Sequence, residues 1–212
     1  MTTNAPFKVS WGGIVQAVQL RIRLTRSFDE RSHAYQGYVL RVDGMIGEEH
    51  RVFLVAVGEA AHAKNLFRAG DRVSGVGTPV ADQRTEVAEL YKVSKVKVVE
   101  RGPDTAGMPP PWLGVPPALP VYRERGHRRL DAHTYETKCL TCVWGCRMAV
   151  EMIIDQWNPS RKRYRQETFC YGPLSCRWYQ AGPTRKVPGR KGMSWEEDWV
   201  DEDAVRHRAP DA

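Results

Sequence analysis

Alternating apolar and polar positions dominate the first hundred residues. Residues 9–24 form a long β-rich run, with Gly12-Gly13 where a strand can bend or bulge. Residues 33–42 make a second run, ended by Asp43-Gly44. Residues 51–57 make a third, apolar enough to be buried on both faces. From Glu59 to Phe67 the chain is alanine-rich and free of Pro and Gly, which predicts a short helix. Gly70-Asp71 breaks it before a fourth strand over 72–78. A fifth covers 87–99, where Val93, Val96 and Val98 carry most of the apolar weight.

Proline then interrupts the pattern. Seven of the chain's 14 prolines lie between Gly102 and Pro120. They remove amide donors and fix φ, so this stretch is neither helix nor central strand but an extended connector. Trp112, Leu113 and Val115 predict that it lies along a surface. Beyond it, Met148, Ala149, Met152, Ile153 and Trp157 recur at helical spacing, predicting a helix over 147–157 that stops at Asn158-Pro159. Residues 163–171 then alternate into a strand that delivers Cys170. The expected organisation is a β-barrel domain at 1–102, a connector at 103–120, a basic cysteine-rich module at 121–192 and an acidic tail at 193–212.

The expected fold class is mainly β with a small α+β part. Three strands, a helix and two strands is the order of an OB-fold, a five-stranded Greek-key barrel. Residues 8–100 resemble OB-fold domains in that order and in the long Gly-bent first strand. They also resemble them in the turn Phe67-Arg68-Ala69-Gly70-Asp71-Arg72-Val73 and the Gly75-Val76-Gly77 core of the fourth strand. The resemblance is one of topology rather than of a sequence signature. It implies a binding face on strands two and three, flanked by the loops at 25–32 and 79–85. Tyr35, Arg41 and Arg51 stand on that face, with Tyr38 and Phe53 beside them as core or surface, and Arg84 in the second loop.

Charge sharpens this picture. The chain of 212 residues carries 32 Lys+Arg against 25 Asp+Glu, a formal net charge of +7. The excess is +3 over residues 1–120, +9 over 121–192 and −5 over 193–212. No apolar run reaches the ~20 residues of a membrane-spanning helix, and no signal peptide is visible at the N-terminus. A cytoplasmic protein with no membrane partner is therefore expected, whose five cysteines serve as thiols or metal ligands rather than disulfides.

The cysteines give the most specific chemistry. Cys139-x2-Cys142-x3-Cys146 is followed, after 23 intervening residues, by Cys170-x5-Cys176. Thiolates two apart in a tight loop can face one metal ion, and a second pair closes a tetrahedron. On the zinc reading Cys139, Cys142, Cys170 and Cys176 are the ligands and Cys146 is spare. The alternative is a 4Fe-4S cluster held by Cys139, Cys142 and Cys146 with Cys170 or Cys176. The module resembles zinc-ribbon or iron–sulfur modules in this spacing. So small a core needs a metal staple.

Basic and aromatic residues interleave through the same region: Arg161-Lys162-Arg163-Tyr164-Arg165, then Arg177-Trp178, then Arg185-Lys186 and Arg190-Lys191. Guanidinium and aromatic groups in alternation suit phosphate contact and base stacking. Residues 181–192, rich in Gly and Pro, read as an extended basic arm. There is no P-loop, dinucleotide glycine motif, H-E-x-x-H or deaminase pattern, and no catalytic residue is assigned. The acidic end offers a docking tail for a protein partner. The leading expectation is a nucleic-acid-binding accessory protein or complex subunit, for DNA or RNA, with a structural metal. A redox or catalytic iron–sulfur protein and a protein–protein adaptor with structural zinc are the alternatives.

Overall fold

Alternation in the first hundred residues is realised as five strands and one helix. These are β1 (Val9–Arg26), β2 (Arg31–Ile46), β3 (Glu49–Val57), α1 (Glu59–Asn65), β4 (Arg72–Pro79) and β5 (Leu90–Glu100). After the proline segment come α2 (Leu119–Arg125), the short β6 (Arg128–Arg129) and α3 (Ala132–Thr134), which continues as a π-helical turn at Tyr135–Cys139. Then follow β7 (Gly145–Ile153), β8 (Lys162–Cys170), β9 (Lys186–Pro188) and β10 (Ser194–Glu196). This computed structural model describes residues 7–27, 31–103, 109–155, 157–188, 192–196 and 204–209.

The molecule is mainly β. Eight strands form one mixed sheet in the order β2-β3-β5-β4-β1-β7-β8-β6, with β2 also paired to β1. The first five pairings therefore run from β1 through β2, β3, β5 and β4 back to β1. β3 meets β5 in parallel through Val55 and Leu90, while the other four pairs are antiparallel. Alternation dictates the inner face: Val18, Leu20, Ile22 and Leu24 of β1 are buried against Leu40, Val42, Phe53 and Val55. A register shift between Val15 and Ala17 brings Val15 and Val18 to the same core, although they are three apart.

Asp43-Gly44 does not end β2, which runs on to Ile46. Gly44 lies opposite Gly13 at a close strand approach. A Cβ on either glycine would stand 2.2 Å from a backbone oxygen of the other strand. The glycine marks a contact rather than a terminus.

The expected helix at 147–157 is a strand instead. Cys146, Met148, Val150 and Met152 of β7 alternate into the core, and β7 pairs in antiparallel register with β8. Met148 and Met152, four apart, satisfy both a helical and a strand period. Val150, which the helical stripe omits, is fully buried and decides between them. Strand β8 delivers Cys170 as expected.

The connector does not hold the two parts of the chain apart. Arg23–Arg26 of β1 pair in parallel with Ala149–Met152 of β7, so the sheet continues from one part into the other. Leu20 and Phe53 share one buried cluster with Met148, Val150 and Phe169. The described part of the proline segment lies along both: Tyr38 donates to Pro117 O (2.8 Å), and the Val143 amide donates to Trp112 O (2.9 Å).

Candidate metal centre and adjoining groove

The first cysteine pair is set by a tight turn. The π-helical turn ends at Cys139, the Cys142 amide donates to Cys139 O (3.1 Å), and the Gly145 amide donates to Cys142 O (3.0 Å). Gln19 on β1 then reaches in from the sheet. Its Nε2 donates to Cys139 O and to Cys142 O, both at 2.9 Å, and its Oε1 accepts from Tyr135 Oη at 2.7 Å. All three bonds are buried. A Cβ at Gly145 would lie 2.7 Å from Cys139 O and 2.9 Å from Gln19 Nε2, so only glycine lets the amide approach.

The second pair sits on a loop held by arginines. The Gly172 amide donates to Cys170 Sγ (3.3 Å), and the Cys176 amide donates to Pro173 O (3.2 Å). Four successive carbonyls of this loop accept from guanidinium groups. Arg125 Nε binds Tyr171 O (2.7 Å), Arg208 binds Gly172 O (2.7 Å), and Arg128 binds Pro173 O (2.8 Å) and Leu174 O (3.3 Å). Arg125 also stacks on Trp144, and Arg128 on Tyr179 at 3.7 Å. Arg208 belongs to residues 204–209, which fold back against α2 and this loop: a Cβ at Gly126 would stand 2.0 Å from Ala204 O. That end of the acidic tail is therefore docked, while 197–203 lie outside the described residues.

Cys139, Cys142 and Cys170 share one buried cluster with Leu130 and Tyr135, and half-buried Cys176 interacts electrostatically with Cys139 and Cys170. Burial, and then the neighbouring thiols, push Cys139 up to about 12. Burial pushes Cys142 up to about 11 against the lowering effect of the Trp144 and Trp112 amides. Burial raises Cys170 too, against the pull of Arg128. Burial first, and then the neighbouring Arg125 and Arg128, lower Arg208 to about 10. Three thiols with raised proton affinity beside three crowded cations would suit a dication, which deprotonates the thiols it binds. A tetrathiolate formed by adding Cys176 would carry formally two negative charges, with the arginines placed to balance them. Among the described residues no three Cys, His, Asp or Glu side chains converge as a metal-ligand group. The cysteines are gathered but not closed into a coordination shell. Cys146 lies elsewhere: it is fully buried in the main core and donates to Leu20 O (3.4 Å).

A groove runs beside the Cys139–Cys142 turn, on the face of β1–β3 that points away from the main core. Ala17 and Val39 lie at its base with Leu54, the β4–β5 loop contributes Val87, and the cysteine segment contributes Tyr135 and Leu140. Arg41 and Arg147 line it as its two cations. Arg41 Nε donates to Gln16 Oε1 (3.2 Å), and Arg147 stacks over Tyr135 while reaching Glu136 (3.2 Å). The rest of this face is covered by the β4–β5 loop, where buried Ala88 packs on Val39 and Ala56. Glu86 pins that loop, accepting from Arg21 and from the Val87 (2.9 Å) and Ala88 (3.2 Å) amides. Burial raises the Glu86 carboxyl, but Arg21 and the two amides outweigh it and hold it below its ordinary value.

The other candidate nucleic-acid residues are scattered. Arg51 is committed to Glu89 (2.7 Å) and Glu49 (3.3 Å), and Arg84 to Asp82 (2.8 Å) while lying over Tyr164. Lys162 pairs with Glu151 (2.7 Å), and Arg165 with the buried Glu167, which also faces buried Arg26 (3.6 Å). Tyr35 is half-buried under Arg123, and Trp178 lies beneath Lys138. Arg161, Arg163 and Arg177 are exposed. Arg185 and Lys186 lead into β9, which pairs with β10 as a small hairpin. Arg190 and Lys191 lie outside the described residues. Gln19, Tyr135, Leu140 and Arg147 were not singled out from sequence, and nothing in their local pattern distinguishes them from ordinary strand and turn positions.

No family model, curated protein or solved structure matches this chain.

Proposed function

We propose that this protein is a nucleic-acid-binding accessory protein that takes single-stranded DNA or RNA in the groove beside the cysteine turn. The closed circuit of β1, β2, β3, β5 and β4 is the strand order of an OB barrel, and the groove lies on the strand face that such barrels use. One observation carries the reading: an apolar base formed by Ala17, Val39 and Leu54 is flanked by two guanidiniums, Arg41 and Arg147. An unstacked base fits the first and its phosphate the second. The cysteine quartet is read as a structural zinc site. Four soft sulfur donors suit that ion, and the position of Cys146 in the main core, bonded to Leu20 O, favours zinc over a cluster that would use Cys139, Cys142 and Cys146.

Fluorescence anisotropy with labelled single-stranded oligonucleotides tests this. Affinity is expected to fall steeply with salt as counterions are released. The double variant Arg41→Ala with Arg147→Ala is expected to lower it at least about tenfold, the loss of two charge-assisted contacts. Absence of binding to both DNA and RNA at low salt would sink the reading.

A further inference from the structure

We propose that the cysteine centre and the groove form one coupled unit joined through Gln19, so that bound metal and bound single strand each tighten the other. This rests on the function proposed above. The geometry is that of a groove with two unlike walls. One wall is barrel: Ala17, Val39 and Leu54 on paired strands. The other is borne by the cysteine segment, since Tyr135 and Leu140 belong to the stretch that begins the turn and Arg147 leaves it on β7.

Gln19 belongs to both. It lines the groove from β1, donates to the carbonyls of the two cysteines that start the metal site, and accepts from Tyr135 of the groove wall. A buried carboxamide with three bonds cannot shift without leaving donors or acceptors unpaired, so the turn, Tyr135 and β1 move together or not at all. Gly145 removes the slack on the far side, with Cys139 O and Gln19 Nε2 both within 3 Å of where its Cβ would stand. Arg147 stacks at 5.3 Å on the same Tyr135, which places the groove's second cation under the same control. A metal that fixes Cys139 and Cys142 therefore fixes the position of Tyr135 and Arg147. By linkage, a ligand that favours the fixed wall raises metal affinity by the same factor.

The test uses full-length protein with zinc, or with zinc removed by a chelator, and a labelled oligo-dT probe. Chelation is expected to weaken binding by about 5–150-fold, the usual span of such coupling. In Gln19→Met, of similar volume but without the three bonds, metal content stays near one ion per chain and binding becomes weak and indifferent to metal. Amide hydrogen exchange supplies a readout that needs no nucleic acid. In the wild type, chelation should speed exchange at 135–144 and also at 17–21. In Gln19→Met only the first should respond. Gln19→Glu sets a carboxylate against two carbonyls and should speed zinc release, although no cysteine is touched.

Unchanged exchange at 17–21 after zinc leaves would overturn the proposal. So would equal acceleration in β3 and β4, which would mean global loosening, or failure of the cysteines to take up metal. A holo protein that binds no oligonucleotide while 17–21 still responds to chelation would defeat the functional reading alone.

Discussion

The β1–β5 strands and the cysteine region are held together by different physics. The strands present side chains such as Leu20, Leu40, Val42 and Val55 to one core, and their exposure is zero. Burying aliphatic surface at about 25 cal/mol per Å² needs no particular geometry beyond alternation. The cysteine region has a small cluster of Leu130, Tyr135 and three cysteines. Its two loops are pinned instead by directed polar contacts from Gln19, Arg125, Arg128 and Arg208. Contacts of that kind hold a conformation only while every partner is present, and each one net contributes about 1 kcal/mol. The comparison teaches where a bound metal would matter most: the loops at 139–145 and 170–176, rather than the strands between them.

Metal removal is the largest way to test that difference. At a thousandfold excess over its Kd, a bound ion adds about 4 kcal/mol to stability. Cys170→Ser should abolish that increment, and thermal unfolding should cease to depend on zinc concentration. Cys146→Ala should leave zinc dependence intact, because its sulfur bonds to Leu20 O instead. A zinc-dependent Tm lost in Cys146→Ala but kept in Cys170→Ser would invert the assignment.

The β1–β5 side breaks differently. Leu20→Ala should cost about 3 kcal/mol through lost burial and a cavity, measured by urea unfolding, with zinc content unchanged in the folded protein. Because Leu20 shares its cluster with Met148 and Phe169, the two parts should unfold in one transition. Separate transitions would show that the continuous sheet does not couple them.

What the sequence revealed follows the same division. Period-two alternation and helix-favouring Glu59 to Lys64 placed six elements in order, since hydrophobic burial leaves a periodic trace. The gathering of Cys139, Cys142 and Cys170 into one cluster was legible from their spacing, because a tight turn and a short loop leave a short-range trace. Strand β7 was misread because Met148 and Met152 fit two periods at once. Gln19 was illegible: a polar residue at an outward strand position looks solvated until the cysteine turn, some 120 residues away, is laid over it. The role of Arg125 and Arg128 in holding the second loop was illegible for a similar reason, since their partners are backbone carbonyls, which carry no sequence signature.

A smaller effect concerns the loop that covers the outer face of the strands. Glu86 is held below its ordinary value, so its stabilising contribution is complete above the unfolded carboxyl's pKa near ~4.3 and is lost as pH falls through the folded value. Glu86→Gln leaves Arg21 without its counter-charge and should cost about 2–3 kcal/mol at neutral pH. The variant's stability should then vary less than the wild type's below about pH 4.3, by urea titration across pH. An undiminished acid dependence would assign it to other carboxylates.

The smallest expected effect on stability carries the most about function. Arg41 and Arg51 lie on adjacent strands as candidate phosphate contacts, but the register sets them on opposite faces: Arg41 pairs with Leu54 on the groove side, and Arg51 pairs with Gly44 on the side of Phe53. They also differ in their commitments. Arg51 is tied to Glu89 and Glu49, while Arg41 has only the neutral Gln16 as hydrogen-bond partner among the described residues. A guanidinium already neutralised must break an ion pair before it meets phosphate, and one without a carboxylate need not. Either alanine variant should shift stability by less than about 0.5–1 kcal/mol, as surface charges do. Their binding should separate. Arg41→Ala should weaken oligonucleotide binding and lower the salt slope by about one ion, while Arg51→Ala should leave both nearly unchanged. Equal losses from the two variants would mean that the single strand reaches past the groove face to Arg51 and displaces Glu89 to do so.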